Sequence, residues 1–216
     1  MPILYRHYKD KPYRFLGTVK HSETLEDMAL YETLYENSAG KLWVRPKGMF
    51  FEQVEVAGKE VPRFAKVAVE LEEREIIGEA EAEILAPLIQ EAFGEWDPEF
   101  FFSRLKVRNR VHLVMARIDG KLVGFKLGYA EDAWDFYSWL GAVAPSHRRV
   151  GIASTLMAAQ EAWCKKQGFQ TIKTKTQNRF REMLLLNIRQ GFSVIGFHES
   201  RNGGGKIILE KRLLSS

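Results

Sequence analysis

The 216-residue chain has one cysteine, a formal net charge of +4 and 45% hydrophobic residues. The lone cysteine excludes an internal disulfide, and the sequence has no long uncharged apolar run of the kind that spans a membrane. Together with the lack of a signal-peptide pattern after Met1, these features favour a cytoplasmic protein with a proper hydrophobic core.

The charge is distributed unevenly along the chain. Residues 70–83 hold seven acidic residues and one basic residue, which indicates a Glu-rich linker. Residues 84–216 hold twenty basic and twelve acidic residues, a surplus of eight positive charges. Such a surplus attracts anions and suits a phosphorylated cofactor at least as well as a nucleic acid.

Short β-prone segments dominate the first 68 residues, and a turn at Ala57-Gly58-Lys59 predicts a hairpin between two of them. We therefore expect a small, mostly β unit of about five strands. Its opening, YRHYKDKPYR, mixes aromatic and basic residues, which is one signature of a nucleic-acid interface. Aromatic residues at strand spacing more often pack a small core while Lys and Arg stay solvated, so nucleic-acid binding is disfavoured.

This first part resembles a small bacterial domain family of unknown function. The resemblance rests on the opening residues Tyr5, His7, Tyr8 and Lys9, on His21 to Glu26, and on Gly58 to Phe64. It covers about residues 3 to 68 and implies an SH3-like barrel without implying an activity. We accordingly place a domain boundary between residues 68 and 69.

Helices and strands alternate after residue 69. Apolar residues at helical spacing predict a helix over 81–93, and a second short helix follows around 98–105. A strong turn at Asp119-Gly120 predicts a hairpin, and residues 135–143 form another strand. The clearest helix runs from Gly151 to a stop at Gly168. The apolar residues assigned to the buried face of the first of these helices are Ile84, Leu85, Leu88, Ile89 and Phe93.

The remaining elements are a strand near 170–176, a helix over 180–190, a strand over 193–199, a turn at Gly203-Gly204-Gly205 and a last strand from 206. This order predicts a mixed sheet covered by helices, which is an α+β architecture. The glycine-rich turn has two interpretations, a simple connection or a phosphate-binding loop, and the first is favoured.

The segment RRVGIAST, residues 148–155, lies where a strand ends and the clearest helix begins. The first amides of a helix lack partners within the helix and carry its positive dipole end, so they form a site for anions. Gly151 lets the backbone approach a ligand, Ala153 keeps the next turn uncluttered, and Ser154 adds a hydroxyl donor. Arg148 and Arg149 add positive charge. A diphosphate would fit this junction.

The wider stretch LGAVAPSHRRVGIAS resembles the signature V-x-P-x-x-R-x-x-G-x-G/A of the GCN5-related N-acetyltransferase (GNAT) superfamily. The matching residues are Val143, Pro145, Arg148, Gly151 and Ala153. A second family signature, a helix that ends in Gly-Phe before an apolar strand, appears in NRFREMLLLNIRQGFSVIG. The resemblance covers about residues 70 to 216. It implies a mixed central sheet flanked by helices, and direct transfer of an acetyl group from acetyl-CoA to an amine.

The resemblance also implies where the cofactor binds. Acetyl-CoA would lie between the strand that ends at Val143 and the strand that starts near Gln170, with the backbone of Gly141 and Val143 pairing with its pantetheine arm. The pyrophosphate would bind the amides that follow Arg148, namely those of Arg149, Val150, Gly151, Ile152, Ala153 and Ser154. Asn187 stands where many relatives have a tyrosine and would hydrogen-bond the cofactor. Asn178 would either hold a pantetheine amide or cap the last helix.

A protonated amine must lose a proton before it can attack a thioester. Tyr137 stands where many relatives carry a carboxylate, which leaves the base open. Asp135 lies two residues earlier on the same strand face and is the first candidate, although a solvated strand-end role is the alternative. Glu95 and Glu99, on the helix pair that usually borders the acceptor, are weaker candidates.

Other chemistry has little support in the sequence. Cys164 follows the core residue Trp163 in mid-helix, so packing is favoured over a nucleophilic role. The five histidines show no metal-ligand spacing. The competing function is a non-catalytic CoA-binding module whose N-terminal barrel recruits nucleic acid or a protein. The acceptor, a small-molecule or protein amine, and the oligomeric state stay open.

Overall fold

The computed structural model describes residues 3–199 and 205–213. The chain divides into two compact units, one of residues 1–69 with 149–151 and one of residues 70–148 with 152–216. Within the described residues, no helix combines the length and apolar character needed to cross a bilayer. Gly203 and Gly204 of the predicted glycine-rich turn lie outside the described residues.

The first unit is mostly β, as predicted. Its elements are β1 (Ile3–His7), β2 (Pro12–Lys20), β3 (Asp27–Thr33), β4 (Leu42–Pro46), α1 (Lys47–Phe51), β5 (Gln53–Val56), β6 (Lys59–Pro62) and β7 (Phe64–Val67). Five strands form an antiparallel sheet in the order β4-β3-β2-β1-β7, and β5 pairs with β6. The predicted hairpin turn is present, with Ala57 and Gly58 both at positive φ, +50° and +78°. Residues 5–7, the start of the YRHYKDKPYR segment, form the end of strand β1.

Aromatic rings build the core of this unit. Phe50 and Phe64 stack with ring centroids 4.1 Å apart, and Tyr31 packs against both. Phe50, Phe64 and Tyr31 are all buried. Tyr5 and Tyr13 of the YRHYKDKPYR segment are partly buried against this cluster, in agreement with the packing interpretation, whereas Tyr8 is exposed.

The second unit contains the remaining elements. They are β8 (Glu70–Arg74), α2 (Glu79–Phe93), α3 (Pro98–Lys106), β9 (His112–Ile118), β10 (Lys121–Ala130), β11 (Asp135–Val143), α4 (Ile152–Lys166), β12 (Thr171–Gln177), α5 (Arg181–Arg189), β13 (Ser193–His198) and β14 (Lys206–Arg212). They form a seven-stranded sheet in the order β13-β14-β12-β11-β10-β9-β8. Among the strands of the described residues, only β11 and β12 are parallel neighbours, so the sheet is mixed.

Helices cover both faces of this sheet. One core cluster joins α2 and α3 to strands β9, β10 and β11 and includes Leu85, Phe101 and Tyr129. The other joins α4 to β11 and β12 and includes Trp163 and Phe169. The predicted α+β layer architecture is therefore confirmed. We call the two sides the α2–α3 face and the α4 face.

The acidic segment 70–83 is not a linker, contrary to the sequence-based prediction. Its first part is the edge strand β8, which pairs antiparallel with β9. Cross-strand contacts explain why charged residues adopt this strand, because Glu72 accepts a hydrogen bond from Arg117 at 2.9 Å and Glu73 contacts His112 at 3.2 Å. Its second part begins α2, where the Glu81 carboxylate accepts from the amide of Gly78 at 2.9 Å.

Two residues assigned to the buried face of α2 are exposed. Ile84 is 42% and Phe93 is 38% exposed, whereas Leu85, Leu88 and Ile89 are buried as predicted. The Phe93 ring contacts Phe180, which lies just before α5, with centroids 6.3 Å apart. The C-terminal end of α2 therefore reaches the end of β12 rather than the centre of the sheet.

Candidate functional site

Strands β11 and β12 pair along only part of their length. Their parallel pairing runs from Asp135 opposite Thr171 to Ser138 opposite Thr174 and then stops. Beyond that point β11 continues to Val143 beside β10, and β12 continues to Gln177 beside β14. We call the interval between 139–143 and 175–177 the β11–β12 gap. Within the described chain no strand fills it, so main-chain groups of β11 face it.

A β-bulge lies where the gap begins. Gly128 pairs with Ser138 and Leu127 pairs with Leu140, so Trp139 is the extra residue of β11. Trp139 and Leu140 both pack on the α2–α3 face. Gly141 then faces the α4 side, where an added Cβ would lie 3.2 Å from the carbonyl oxygen of Phe125 and 3.5 Å from Lys126 Cγ on β10.

Gly124 sets the position of α4 against the sheet. A Cβ added at Gly124 would lie 3.1 Å from Ile152 Cγ2 and 3.1 Å from Leu156 Cδ1. The first turn of α4 therefore packs directly on the backbone of β10. This close contact fixes where the helix begins relative to the end of β11.

The predicted anion junction has a special backbone. Arg149 has a φ of +62° and Gly151 a φ of +90°, both in the left-handed region that favours glycine. The side chains of Val150 and Ile152 are buried, at 4% and 1% exposure. Val150 and Ile152 can therefore offer a ligand only their main chain. Ala153 and Ser154 are partly exposed in the first helical turn.

Arg148 does not point freely into solvent, although it is exposed. Its Nε donates a hydrogen bond to the carbonyl oxygen of Val143 at 3.0 Å. That carbonyl lies at the end of the gap-facing part of β11, and the family resemblance implies that it pairs with the pantetheine arm of the cofactor. Arg148 and Val143, both predicted to bind the cofactor, are therefore hydrogen-bonded to each other.

Asp135 and Tyr137 share the α2–α3 face of β11, as predicted from their spacing. Asp135 forms a close ion pair with Lys173 on β12. The hydrogen bond from Lys173 to Asp135 raises the pKa of the lysine. Asp135 also lies three residues before the last paired residue, about 10 Å along the strand from the start of the gap.

Tyr137 is buried and stays protonated near neutral pH. Burial, aided by neighbouring Tyr129, raises the pKa of Tyr137 to about 12. The two rings lie 5.6 Å apart, and the Lys175 ammonium lies 5.3 Å from the centre of the Tyr137 ring. The phenol can donate a hydrogen bond but is a poor proton acceptor at neutral pH.

Sequence reasoning missed the cation that organises this aromatic group. Arg104 of α3 donates from Nε to the Tyr129 hydroxyl at 2.8 Å, and its guanidinium lies 5.1 Å from the Trp139 ring. No motif marks Arg104, since it is one of several basic residues in an amphipathic helix. The pairing of β10 with β11 places Tyr129, Tyr137 and Trp139 side by side, and the Arg104 guanidinium lies over the Tyr129 and Trp139 rings.

The two predicted asparagines occupy different environments. Asn187 is buried, at 2% exposure, within α5. Asn178 is exposed in the turn after β12. The idea that Asn178 caps the last helix is wrong, because the N-cap residue of α5 is Phe180 and the cap has no side-chain hydrogen bond. Glu95 and Glu99 are exposed, at and just after the turn between α2 and α3.

Cys164 lies on the buried side of α4 and has no exposed surface. Burial raises the pKa of its thiol, which keeps it in the unreactive protonated form. Among the described residues, no group of three or more His, Cys, Asp or Glu side chains is placed to hold a metal ion.

Two family profiles match the sequence. Residues 3–66 match a protein of unknown function (DUF1653), and residues 79–184 match the acetyltransferase (GNAT) family. No curated protein matches the chain.

Solved structures share the fold of the second unit. The ribosomal-protein-S18-alanine N-acetyltransferase from Escherichia coli aligns with a TM-score of 0.59 and 15% identity, over 69% of this chain and 96% of its own. An aminoglycoside 6'-N-acetyltransferase complexed with coenzyme A aligns with a TM-score of 0.58 and 16% identity, over 68% and 98%. A GNAT family acetyltransferase from Elizabethkingia anophelis with acetyl-CoA bound aligns with a TM-score of 0.52 and 15% identity, over 68% and 97%. At these identities the likeness shows the fold alone.

Proposed function

Residues 79–184 belong to the acetyltransferase (GNAT) family, and on that premise we propose that the chain transfers the acetyl group of acetyl-CoA directly to a primary amine. The observation that carries the proposal is the β11–β12 gap, which ends beside the first turn of α4. An extended ligand in the gap meets main-chain groups as an added strand would, and its anionic end meets a helix N-terminus.

The residues around the gap fit this cofactor. Gly141 has no side chain to block a pantetheine arm, and its neighbour Val143 offers backbone groups at the outer end. The left-handed backbone at Arg149 and Gly151 turns the chain into α4, where the amides through Ser154 would hold the pyrophosphate. Arg148 would release the carbonyl of Val143 and pair with phosphate instead, since a guanidinium binds a charged phosphate more strongly than a neutral carbonyl oxygen.

Acetyl-CoA supplies an activated acyl group, and the protein residues orient the acceptor and move its proton. We assign proton uptake to Asp135, which shares the Tyr137 face of β11. We propose that it acts through a water molecule, because it lies before the gap and its carboxylate is paired with Lys173. Tyr137 keeps its proton and serves as a hydrogen-bond donor. Cys164 takes no part, since it is buried and protonated.

The proposed acceptor is a positively charged amine, carried by a small molecule or by a protein. The Phe100 ring at the start of α3 lies 6.4 Å from Trp139, so this end of α3 borders the gap on the α2–α3 face. Glu95 and Glu99 are exposed there and would attract a cation. We place the protein in the cytoplasm, because its single cysteine is a buried thiol. Residues 1–68 are proposed as a separate domain without an assigned role.

Two measurements test the function. Isothermal titration with acetyl-CoA first tests whether the cofactor binds. Thiol release is then followed over a panel of small amines and peptide N-termini. Acetyl-CoA binding with amine-dependent thiol release supports an N-acetyltransferase, and a protein that binds no CoA contradicts the proposal.

A second candidate is a CoA-binding module without catalysis. It is favoured by one observation, that a buried phenol, Tyr137, stands where relatives carry a carboxylate. Tight CoA binding without turnover on any amine would select this candidate. An electrophoretic shift assay with single-stranded RNA and DNA, run on the full chain, would then test whether the module recruits nucleic acid.

A further inference from the structure

A small cavity lies on the α4 face, next to the inner end of the β11–β12 gap. Its volume is about 10 Å³, at the lower limit for one water molecule. It therefore has room for about one atom that accepts hydrogen bonds. The residues that line it are Met157, Gln160 and Glu161 of α4, Lys126 of β10, Ile172 of β12, and Gln190 and Phe192 after α5.

Gln160 supplies an unsatisfied donor to this cavity. The side chain is 1% exposed, and its Oε1 accepts a hydrogen bond from the Ser138 hydroxyl at 2.7 Å. Its Nε2 has no hydrogen-bond partner among the described residues. A buried amide donor without a partner is costly, and an acceptor bound in the cavity would remove that cost.

Lys126 supplies a second donor. Its Cγ would lie 3.5 Å from a Cβ added to Gly141, so its stem crosses the glycine that borders the gap. Within residues 3–199 and 205–213 its ammonium makes no hydrogen bond or ion pair. Burial lowers the pKa of Lys126 to about 8, as expected for an ammonium that lacks a compensating anion.

The one carboxylate in the cavity lining is already engaged. Glu161 accepts from Lys165 at 2.8 Å through Oε1 and from Lys211 at 2.6 Å through Oε2. Two ammonium groups thus share its charge, and it is not the partner of Lys126. The cavity therefore combines two free donors, one of them cationic, and favours an acceptor atom with negative charge.

The position of the cavity identifies the acceptor, given the proposed function. Ser138, which holds Gln160, is the last residue of β11 that pairs with β12, so the cavity adjoins the innermost point of the gap. A cofactor whose diphosphate lies at the start of α4 extends its thiol end toward that point. We propose that Lys126 and Gln160 bind the sulfur of the cofactor, and that they favour the free thiol or thiolate of CoA over a ligand without sulfur.

The test compares the affinities of CoA and desulfo-CoA, which differ only in the thiol. Titration calorimetry under a non-thiol reductant measures both ligands on the wild-type chain, Lys126→Met and Gln160→Leu. We expect the wild type to prefer CoA by about tenfold, the effect of a hydrogen bond to a charged group. Lys126→Met should reduce this ratio to near one, and Gln160→Leu should reduce it in part. Lys121→Met, an exposed lysine on the same strand, is the matched control and should keep the full ratio.

A second measurement needs no variant and guards against misfolding. Lysines of the wild-type chain are reductively dimethylated with formaldehyde and cyanoborohydride, which leave the CoA thiol unmodified after work-up, and the labelling is quantified by peptide mass spectrometry. CoA should protect Lys126 several-fold more than desulfo-CoA does, while Lys121 labels equally with either ligand.

The outcomes separate the two proposals. If neither ligand binds, the proposed function fails and this inference fails with it. If both ligands bind the wild type equally, or if Lys126→Met folds and keeps the tenfold preference, only the sulfur site is refuted. Equal protection of Lys126 by the two ligands refutes it as well.

Discussion

Gly151→Ala is expected to weaken CoA binding more than the loss of either neighbouring arginine. Gly151 has a φ of +90°, where a Cβ costs about 1–2 kcal/mol. The free loop would relax to relieve that strain and would have to restore it on binding, so the affinity should fall by about five- to thirtyfold. Arg148→Ala removes one partner of an exposed ion pair with phosphate, worth about 0.2–1 kcal/mol, or up to roughly fivefold in affinity.

Titration calorimetry with CoA on the single variants measures this difference. Gly168→Ala is the matched control, because Gly168 has a φ of +82° at the other end of α4 and open space around a new Cβ. It should lose a similar amount of stability and no affinity. If Gly151→Ala binds CoA as the wild type does, or if Arg148→Ala is the weaker binder, the backbone of this junction does not hold the diphosphate.

Three further predictions concern other parts of the second unit. Gly128→Ala should lower the melting temperature measured by circular dichroism by about 2–12 °C, because a Cβ there would lie 2.4 Å from a ring carbon of Phe136. Gly48→Ala is the control and should leave the melting temperature unchanged, because a Cβ there has nothing within 4 Å. His112 has its pKa lowered by burial, so the free energy of unfolding should fall as the pH drops below about 6.5, and His112→Phe should flatten that slope in urea titrations. Asp135→Asn should reduce kcat at least about tenfold with CoA affinity unchanged, and an unaltered kcat would remove Asp135 from the mechanism.

Local signals predicted much of the second unit. The turns at Asp119 and Gly120 and the stop at Gly168 require positive φ, and all three residues adopt it. The strand-to-helix junction at Gly151 was predicted from the absence of a side chain that could block a ligand, and its positive φ is a finding of the structure. Strand β8 was not predicted, because its Glu and Arg residues have no β pattern and gain their partners only when β9 lies beside them.

The polar contacts within the site were beyond the reach of sequence patterns. Arg148 and Val143 are five residues apart, yet their hydrogen bond depends on how the loop folds back on the end of β11. Lys126 and Gln160 lie on a strand and a helix with no shared motif. They line one cavity because β10 and α4 both pack on the same side of β11, near the point where β11 stops pairing with β12. Such sites depend on tertiary register, which a single sequence does not encode locally.

The extra residue at Trp139 inverts the alternation of side chains in everything that follows it on β11. Asp135 and Tyr137 point to the side where an acceptor would arrive, whereas the odd-numbered Gly141 points to the opposite side. If β11 ran through this point as a regular strand that kept every residue, its outer half would turn over, with Gly141 in place of Ala142 above α2 and the Ala142 methyl group where Lys126 crosses. The candidate proton acceptor on one side of the sheet and the proposed ligand contacts on the other therefore depend on this bulge.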